Sequence, residues 1–235
     1  LTPFDLADPA EITLPFERTS AGWLAVSTQE LAADPPSADF FKRVHAAVGK
    51  QTGSEELLRL VETNRSKLSG QTFRADGHLV VFGAGGGIVC AASRPLSGLD
   101  PAKLVIDQTL YWLTVDSGDE ALYLTGLFNS PAIAALIAAF QPQGQQKERH
   151  IHLLPKLVTP RFDLADPLHQ EVVERTTAVL DEWQDWVEVD AIQERLDPNK
   201  ALAPRRSFLR RQIAALATYS GYAEACQALY DSTAN

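Results

Sequence analysis

The sequence of 235 residues has no methionine and only two cysteines, Cys90 and Cys226. Because it starts with Leu and has no initiator, we expect a piece of a longer polypeptide, and its start lacks the charged segment and apolar run of a secretory signal. Two distant cysteines argue against a disulfide scaffold or a zinc cluster, and Cys90 lies in an apolar run that predicts a buried thiol. We therefore expect a cytoplasmic protein, since the cytoplasm keeps thiols reduced.

Long apolar runs and complete nucleotide-binding motifs are also missing. The stretch "IAALIAAF" (133–140) is far shorter than the roughly 20 residues that cross a bilayer, so we predict no membrane partner. In "GAGGG" (83–87), Ile88 occupies the third glycine position of a dinucleotide fingerprint, and no Gly-Lys-Ser/Thr follows. A glycine-rich hairpin loop is the favoured interpretation, and a nucleotide-binding enzyme is the least favoured of three functional hypotheses.

The formal net charge is −9, but the charge is unevenly distributed. Residues 163–198 hold eleven acids and two arginines, and the rest of the chain is neutral overall. Residues 199–211 carry five basic residues and no acid, and residues 141–162 carry Glu148 against Lys147, Arg149, Lys156 and Arg161. A negative total normally argues against nucleic acid as a partner, but this segregation leaves two basic stretches that can bind it.

The hydrophobic pattern predicts an α+β fold with a small mixed or antiparallel sheet and flanking helices. Helices are expected over 37–48 and 54–68, a short strand near 23–26, and a small sheet between 78 and 116.

Cap residues predict the helices that follow. Ser117 with Glu120 forms a capping box, Ser130 precedes Pro131 at a second helix start, and Asp166 precedes a long acidic amphipathic helix. A last helix is expected from about residue 208 to 230, after a basic turn. We place an α+β domain at 1–162 and a helical C-terminal tail packed on it at 163–235.

The stretch "QQKERHIHLLP" (145–155) gathers two of the five histidines with basic and amide side chains. His150 and His152 could point the same way in an extended segment and bind a metal, but no third ligand lies at a useful spacing. A general base would need a partner that spacing does not reveal. A polar loop that contacts phosphate oxygens and base edges is a third interpretation, and a solvated loop or structural joint is a fourth.

A second polar stretch, "ETNRSKLSGQTF" (62–73), lies near a predicted helix end. A helix C-terminus favours cations, so its basic residues have an ordinary structural explanation as well as a binding one. The same holds for "PRRSFLRR" (204–211), which could bind phosphate or pair with the acidic helix.

Three stretches, taken in order, resemble the C-terminal region of large bacterial adenine-specific DNA methyltransferases of restriction-modification and phage-defence systems. They are "NRSKLSGQ" (64–71), "LVIDQTLYWL" (104–113) with "DEALYLTGLFNSP" (119–131), and "FQPQGQQKERHIHLLPKLVTPRFDLADPLHQEVV" (140–173). The resemblance covers about residues 62–190. In that family this region is the target-recognition domain, so the resemblance implies sequence-specific binding of double-stranded DNA.

The resemblance also implies which residues face DNA and what this chain lacks. The family's S-adenosylmethionine motif is missing, and the Asp-Pro-Pro at 34–36 continues with Ser where an aromatic residue would stack on a flipped adenine. We therefore expect no cofactor or catalysis here, with S-adenosylmethionine bound by a methyltransferase domain outside this sequence as a further partner. The candidate DNA-binding residues are Asn64, Arg65, Lys67, Gln71, Gln143, Gln145, Lys147, Arg149, His150, His152 and Arg161.

A competing hypothesis is a protein-interaction module of a defence complex. It would use the acidic helix after Asp166, with Trp183 and Trp186 as the interface, and it predicts a partner protein and no appreciable affinity for DNA.

Overall fold

The computed structural model confirms an α+β fold, with helices and two small antiparallel sheets. The chain folds into two compact units: a larger one of Leu1–Ala7, Ala75–Gly98 and Asp107–Asn235, and a smaller one of Asp8–Arg74 and Leu99–Ile106. The structure describes residues 3–4, 6, 16–19, 22–26, 33, 35–48, 68, 70–83, 89–107, 109–140, 159–187 and 202–233.

The smaller unit contains an antiparallel strand pair and one helix. Strands β1 (Phe16–Thr19) and β2 (Gly22–Ala25) pair, and helix α1 spans Pro35–Val48. The strand expected near 23–26 and the helix expected at 37–48 are present, whereas β1 was not predicted. The helix expected at 54–68 lies outside the described residues, apart from Leu68 in a turn.

In the larger unit, a three-stranded antiparallel sheet has the order β4-β3-β5, with β3 at His78–Gly83, β4 at Ala91–Pro95 and β5 at Leu110–Val115. The central strand β3 is buried from residue 79 onward, as its apolar "LVVF" requires. Gly77 precedes it with φ +86°, and a Cβ there would collide with the Val115 carbonyl oxygen. These three strands confirm the small sheet that was predicted between residues 78 and 116.

Helices α2 (Gly118–Asn129) and α3 (Pro131–Phe140) follow the sheet with the predicted caps. The Ser117 Oγ accepts the N–H of Glu120 at 3.1 Å, and the Ser130 Oγ accepts the N–H of Ile133 at 3.2 Å. Each hydroxyl satisfies a backbone donor that a helix start leaves unpaired. Across the described ranges, no single helix has the length and apolar character to cross a bilayer. Within the same ranges, only the consecutive segments Gly118–Asn129 and Pro131–Ala138, taken together, have this length and apolar character, and the pair is bent by 53°.

The C-terminal region forms helices α4 (Pro167–Val187), α5 (Leu202–Ile213) and α6 (Tyr219–Thr233). The single helix predicted from about 208 to 230 is wrong, because the chain turns at 214–218. The basic turn predicted before it is wrong for residues 202–207, because they belong to α5. A boundary was predicted between 162 and 163, but α4 to α6 share one compact unit with the three-stranded sheet.

The core of the larger unit surrounds α2. Tyr123, Leu127 and Phe128 of α2 are fully buried, together with residues from the sheet and from every later helix. Cys90 and Cys226 are both buried and neither forms a disulfide, and burial was predicted for Cys90. Burial raises the pKa of Cys226 to about 12, so this thiol stays protonated and behaves as an apolar core group.

The start of α6 is fixed by a carboxylate from α4. Glu182 accepts the N–H groups of Ala217 and Thr218 at 2.9 Å each, and the Thr218 hydroxyl at 2.7 Å. The hydroxyl bond, followed by the two backbone bonds, lowers the pKa of Glu182 below its usual value of 4.5. This bonding ends the continuous helix expected here, because in such a helix both N–H groups would donate to carbonyl oxygens four residues earlier.

We expect Glu182→Gln to lower the melting temperature at pH 7 and to make stability less dependent on pH. Because the folded pKa of Glu182 is lowered, its contribution is fully present above pH 4.5 and is lost as pH falls through the folded value. The difference in melting temperature between the wild type and the variant should therefore shrink in acid. Asp185→Asn, at an exposed acid of the same helix, makes the same charge change without touching the cap; equal pH profiles for the two variants would contradict the prediction.

Candidate nucleic-acid interface

The described end of the predicted recognition stretch, residues 159–166, is fixed to α2 and α4. The Tyr123 hydroxyl donates to the Pro160 carbonyl oxygen at 3.0 Å, and the Asp163 N–H donates to Nδ1 of His169 at 2.8 Å. Between these two bonds the Phe162 ring packs on Tyr123, with 5.2 Å between centroids. Burial, and then the charge of Asp166, raises the pKa of Tyr123, so its hydroxyl keeps the proton that it donates.

Arg161 lies between these anchors and is exposed. Its neighbours on both sides are held by contacts with buried side chains, so its backbone is fixed while its side chain reaches solvent. A guanidinium placed in this way can contact phosphate oxygens without first ordering the segment that carries it. Among the predicted DNA-binding residues that the structure describes, Arg161 is the one whose side chain is exposed.

Gln71 lies in the smaller unit, where its side chain bonds to backbone. Its Nε2 donates to the Ile106 carbonyl oxygen at 2.8 Å, and its Oε1 accepts the Ile106 N–H at 2.7 Å. The Gln71 carbonyl oxygen in turn accepts from Arg18 at 2.7 Å. Both ends of the amide therefore join two segments of this unit, a structural role that the sequence pattern did not reveal.

The other predicted DNA-binding residues lie outside the described residues, so their geometry stays a prediction. They are Asn64, Arg65, Lys67, Gln143, Gln145, Lys147, Arg149, His150 and His152. Where the structure describes the chain, no three His, Cys, Asp or Glu side chains are grouped as metal ligands.

Helix α5 adds a basic surface that was not among the predicted site residues. Leu209 and Ile213 are buried and fix its orientation, while its four arginines are half-buried or exposed. Arg210 Nη2 donates to the Val89 carbonyl oxygen at 3.2 Å. Burial is the main cause that lowers the pKa of Arg210, and the positive charge of Arg206 lowers it further. The sequence does contain a signal for this basic surface, since "LAPRRSFLRRQI" (202–213) has four arginines and no acid.

Five acids of the C-terminal region lie on a different helix, α4. Val172, Val179 and Trp183 form the buried face of α4, and Glu174 and Asp185 are exposed on it. Helix α4 thus carries five acids and one arginine, whereas α5 carries four arginines and no acid, within one compact unit.

No family model matches the sequence, and no curated protein matches it.

Proposed function

We propose that this chain is the DNA-binding specificity domain of a bacterial adenine-specific DNA methyltransferase or methyltransferase-restriction enzyme. Its partner is double-stranded DNA, and a methyltransferase domain outside this sequence supplies S-adenosylmethionine and catalysis. Two things support the proposal: the resemblance of the three stretches between 64 and 173, and the exposed Arg161 on a fixed backbone. The second observation carries most weight, because it gives the predicted recognition stretch a preorganised cation at its described end.

The charge distribution is compatible with this function despite the net charge of −9. DNA binding depends on the local field at the contact surface, and long-range repulsion from acids elsewhere is screened beyond about 8 Å at physiological salt. The arginines of α5 provide positive charge apart from the acidic face of α4. In this proposal Arg161 contacts a phosphate, and the stretch before it provides the contacts with bases.

Fluorescence anisotropy with random duplexes over a salt series tests the proposal. We expect Arg161→Ala to weaken binding and to reduce the slope of log K against log salt by about 0.9, the value for one phosphate contact. The triple variant Lys147→Ala, Arg149→Ala, Arg161→Ala should reduce that slope by roughly 2.7. Removing these cations should weaken binding to all sequences, because phosphate contacts carry no sequence information.

Arg175→Ala is the matched control. Arg175 is also an exposed arginine of the larger unit, and it pairs with Glu171 at 3.5 Å on α4. We expect its binding curve to match that of the wild type. Superposition of the Arg161→Ala and Arg175→Ala curves at every salt concentration would exclude Arg161 from the DNA surface, and absence of binding at the lowest salt would contradict the proposal for this chain.

A protein-interaction surface on α4 is the second candidate, and one observation favours it. Trp186 is 38% exposed, unusual for so large an aromatic side chain. The interface predicted from the sequence used both tryptophans and needs correction, because Trp183 is buried in the core and Trp186 stacks against it at 6.5 Å. A chain that binds no DNA but loses a partner protein on Trp186→Ala would support this second function.

A further inference from the structure

The larger unit contains a pocket of about 280 Å³ apart from Arg161. The start of α3, the end of α5 and the start of α6 form it together with Pro3 and Phe4 from the beginning of the chain. Its walls are mostly apolar, with Ala134, Ile213 and Tyr219 among them. The volume is slightly below the ~300–1,000 Å³ of pockets for drug-sized ligands, so it suits a small molecule or one group of a larger one.

Two consecutive arginines supply the charge of this pocket. Arg210 and Arg211 both line it, and none of its described lining residues is acidic. Arg206 lies near enough for its charge to act on Arg210. A site with this surplus of positive charge favours a dianion over a monoanion, and guanidinium donors match the oxygens of phosphate in geometry.

The other polar side chains of the pocket are engaged in holding the fold. Asn129 accepts the Ala91 N–H at 3.0 Å and donates to the Ala91 carbonyl oxygen at 2.8 Å. Ser130 caps α3. Arg210 also bonds to the fold, through the Val89 carbonyl oxygen, so ligand recognition in this pocket depends on Arg211, on the positive charge of Arg210 and on the apolar walls.

Two aromatic side chains line the pocket, and one has an unusual backbone. Phe4 has φ 61°, in the left-handed region that a bulky residue rarely adopts. Its N–H donates to the Ala91 carbonyl oxygen at 2.9 Å, and its ring meets Tyr222 edge to face. Such conformations persist where the surroundings impose them and are enriched at ligand sites. Phe4 and Tyr219 thus add aromatic side chains to the lining of the pocket, beside its arginines.

We propose that this pocket binds a phosphate monoester carried on a flat apolar group, with the phosphate on Arg210 and Arg211 and the flat group against Phe4 and Tyr219. A phosphate monoester carries a charge of about −1.5 to −2 at neutral pH, which suits the paired arginines better than a carboxylate does. A mononucleotide is the simplest ligand of this chemistry, either free or as the phosphorylated end of a nucleic acid strand. The proposal does not depend on sequence-specific DNA binding.

Isothermal titration calorimetry of the full chain with AMP, adenosine, inorganic phosphate and benzoate tests this site. We expect AMP to bind most tightly, because only AMP offers both the dianion and the flat group. Arg211→Ala should raise the Kd for AMP by roughly tenfold or more, the effect of losing a hydrogen bond to a charged group. Ala134→Leu should weaken binding similarly by filling the pocket, and Arg175→Ala should leave the Kd unchanged.

Competition between AMP and a short single-stranded oligonucleotide, with and without a 5′-phosphate, distinguishes the two sources. Competition by the phosphorylated strand alone assigns the site to strand ends, and no competition assigns it to free nucleotides.

The proposal is overturned if AMP does not bind, if benzoate binds as tightly, or if the Arg211→Ala chain binds AMP like the wild type. Arg211 is exposed, so its variant should fold even if Ala134→Leu does not. Random-duplex binding by Arg211→Ala, measured in parallel, separates this result from the outcome for Arg161.

Discussion

Tyr222→Ala is expected to lower the free energy of unfolding by about 3–5 kcal/mol, the range for truncating a buried aromatic side chain. Tyr222 is fully buried between Phe4, at 6.0 Å between ring centroids, and Tyr219, at 5.6 Å. Its hydroxyl donates to the carbonyl oxygen of Gly126 on α2. Burial raises the pKa of Tyr222 well above its usual value, which keeps this donor protonated. The substitution removes the ring, leaves a cavity and breaks a bond between α6 and α2.

Chemical denaturation of two milder variants separates these contributions. Tyr222→Phe keeps the ring and should cost about 0.5–1.5 kcal/mol, the net value of one hydrogen bond. Tyr219→Phe, at a half-buried neighbouring ring with no described hydroxyl bond, should stay within about 0.5 kcal/mol of the wild type. If Tyr222→Ala lowered the free energy of unfolding no more than Tyr222→Phe, the ring would contribute nothing to the stability of the core. That result would contradict the packing of Tyr222 between Phe4 and Tyr219.

Local interactions explain which parts of the fold could be predicted. The caps at Ser117 and Ser130 bond three residues along the chain, so their signal lies in adjacent letters. Strands β3 and β5 of the larger sheet are runs rich in β-branched or aromatic residues between turns, and they were predicted for the same reason. By contrast, the break between α5 and α6 depends on Glu182, 35 residues before the Ala217 N–H that it accepts. No pattern within 208–230 reveals a partner so far away.

The candidate interface shows the same division. The identity of Arg161 as a candidate came from the sequence, but its fixed position depends on Tyr123 and His169 from two different helices. Gln71 has the residue type for reading bases, yet its amide bonds to Ile106 because of how the smaller unit folds. The pocket was missed altogether, since it joins Phe4 to Arg210 across almost the whole sequence. Residue type suggests chemistry, and tertiary packing decides whether a side chain can perform it.

Gly126→Ala is expected to destabilise the protein, although alanine favours a helix by about 1 kcal/mol over glycine. Gly126 lies on α2 where α4 crosses it, and a Cβ at this position would overlap the Thr176 hydroxyl and approach its Cγ2 to 3.3 Å. Thr176 is fully buried, so it cannot move aside without displacing α4. Overpacking of this kind costs about 1–3 kcal/mol, more than the gain in helix propensity at the upper end of that range.

The matched control is Gly221→Ala on α6. Its new methyl group would meet only the side chain of Arg175, at 3.4 Å from Nη1, and that flexible group can shift. This variant should therefore be stabilised by up to about 1 kcal/mol in chemical denaturation, the opposite sign to Gly126→Ala.

Thr176→Ala removes the overlapping hydroxyl, which has no hydrogen-bond partner among the described residues. In a double-mutant cycle it should recover about 0.5–3 kcal/mol of the Gly126→Ala loss. Equal effects of the two glycine substitutions, or additivity with Thr176→Ala, would mean that α2 and α4 are not in direct contact at Gly126. The same two helices also meet at Tyr123 and His169, with 4.8 Å between ring centroids, and both side chains bond to the segment that carries Arg161, so the packing of α2 on α4 supports its fixed position.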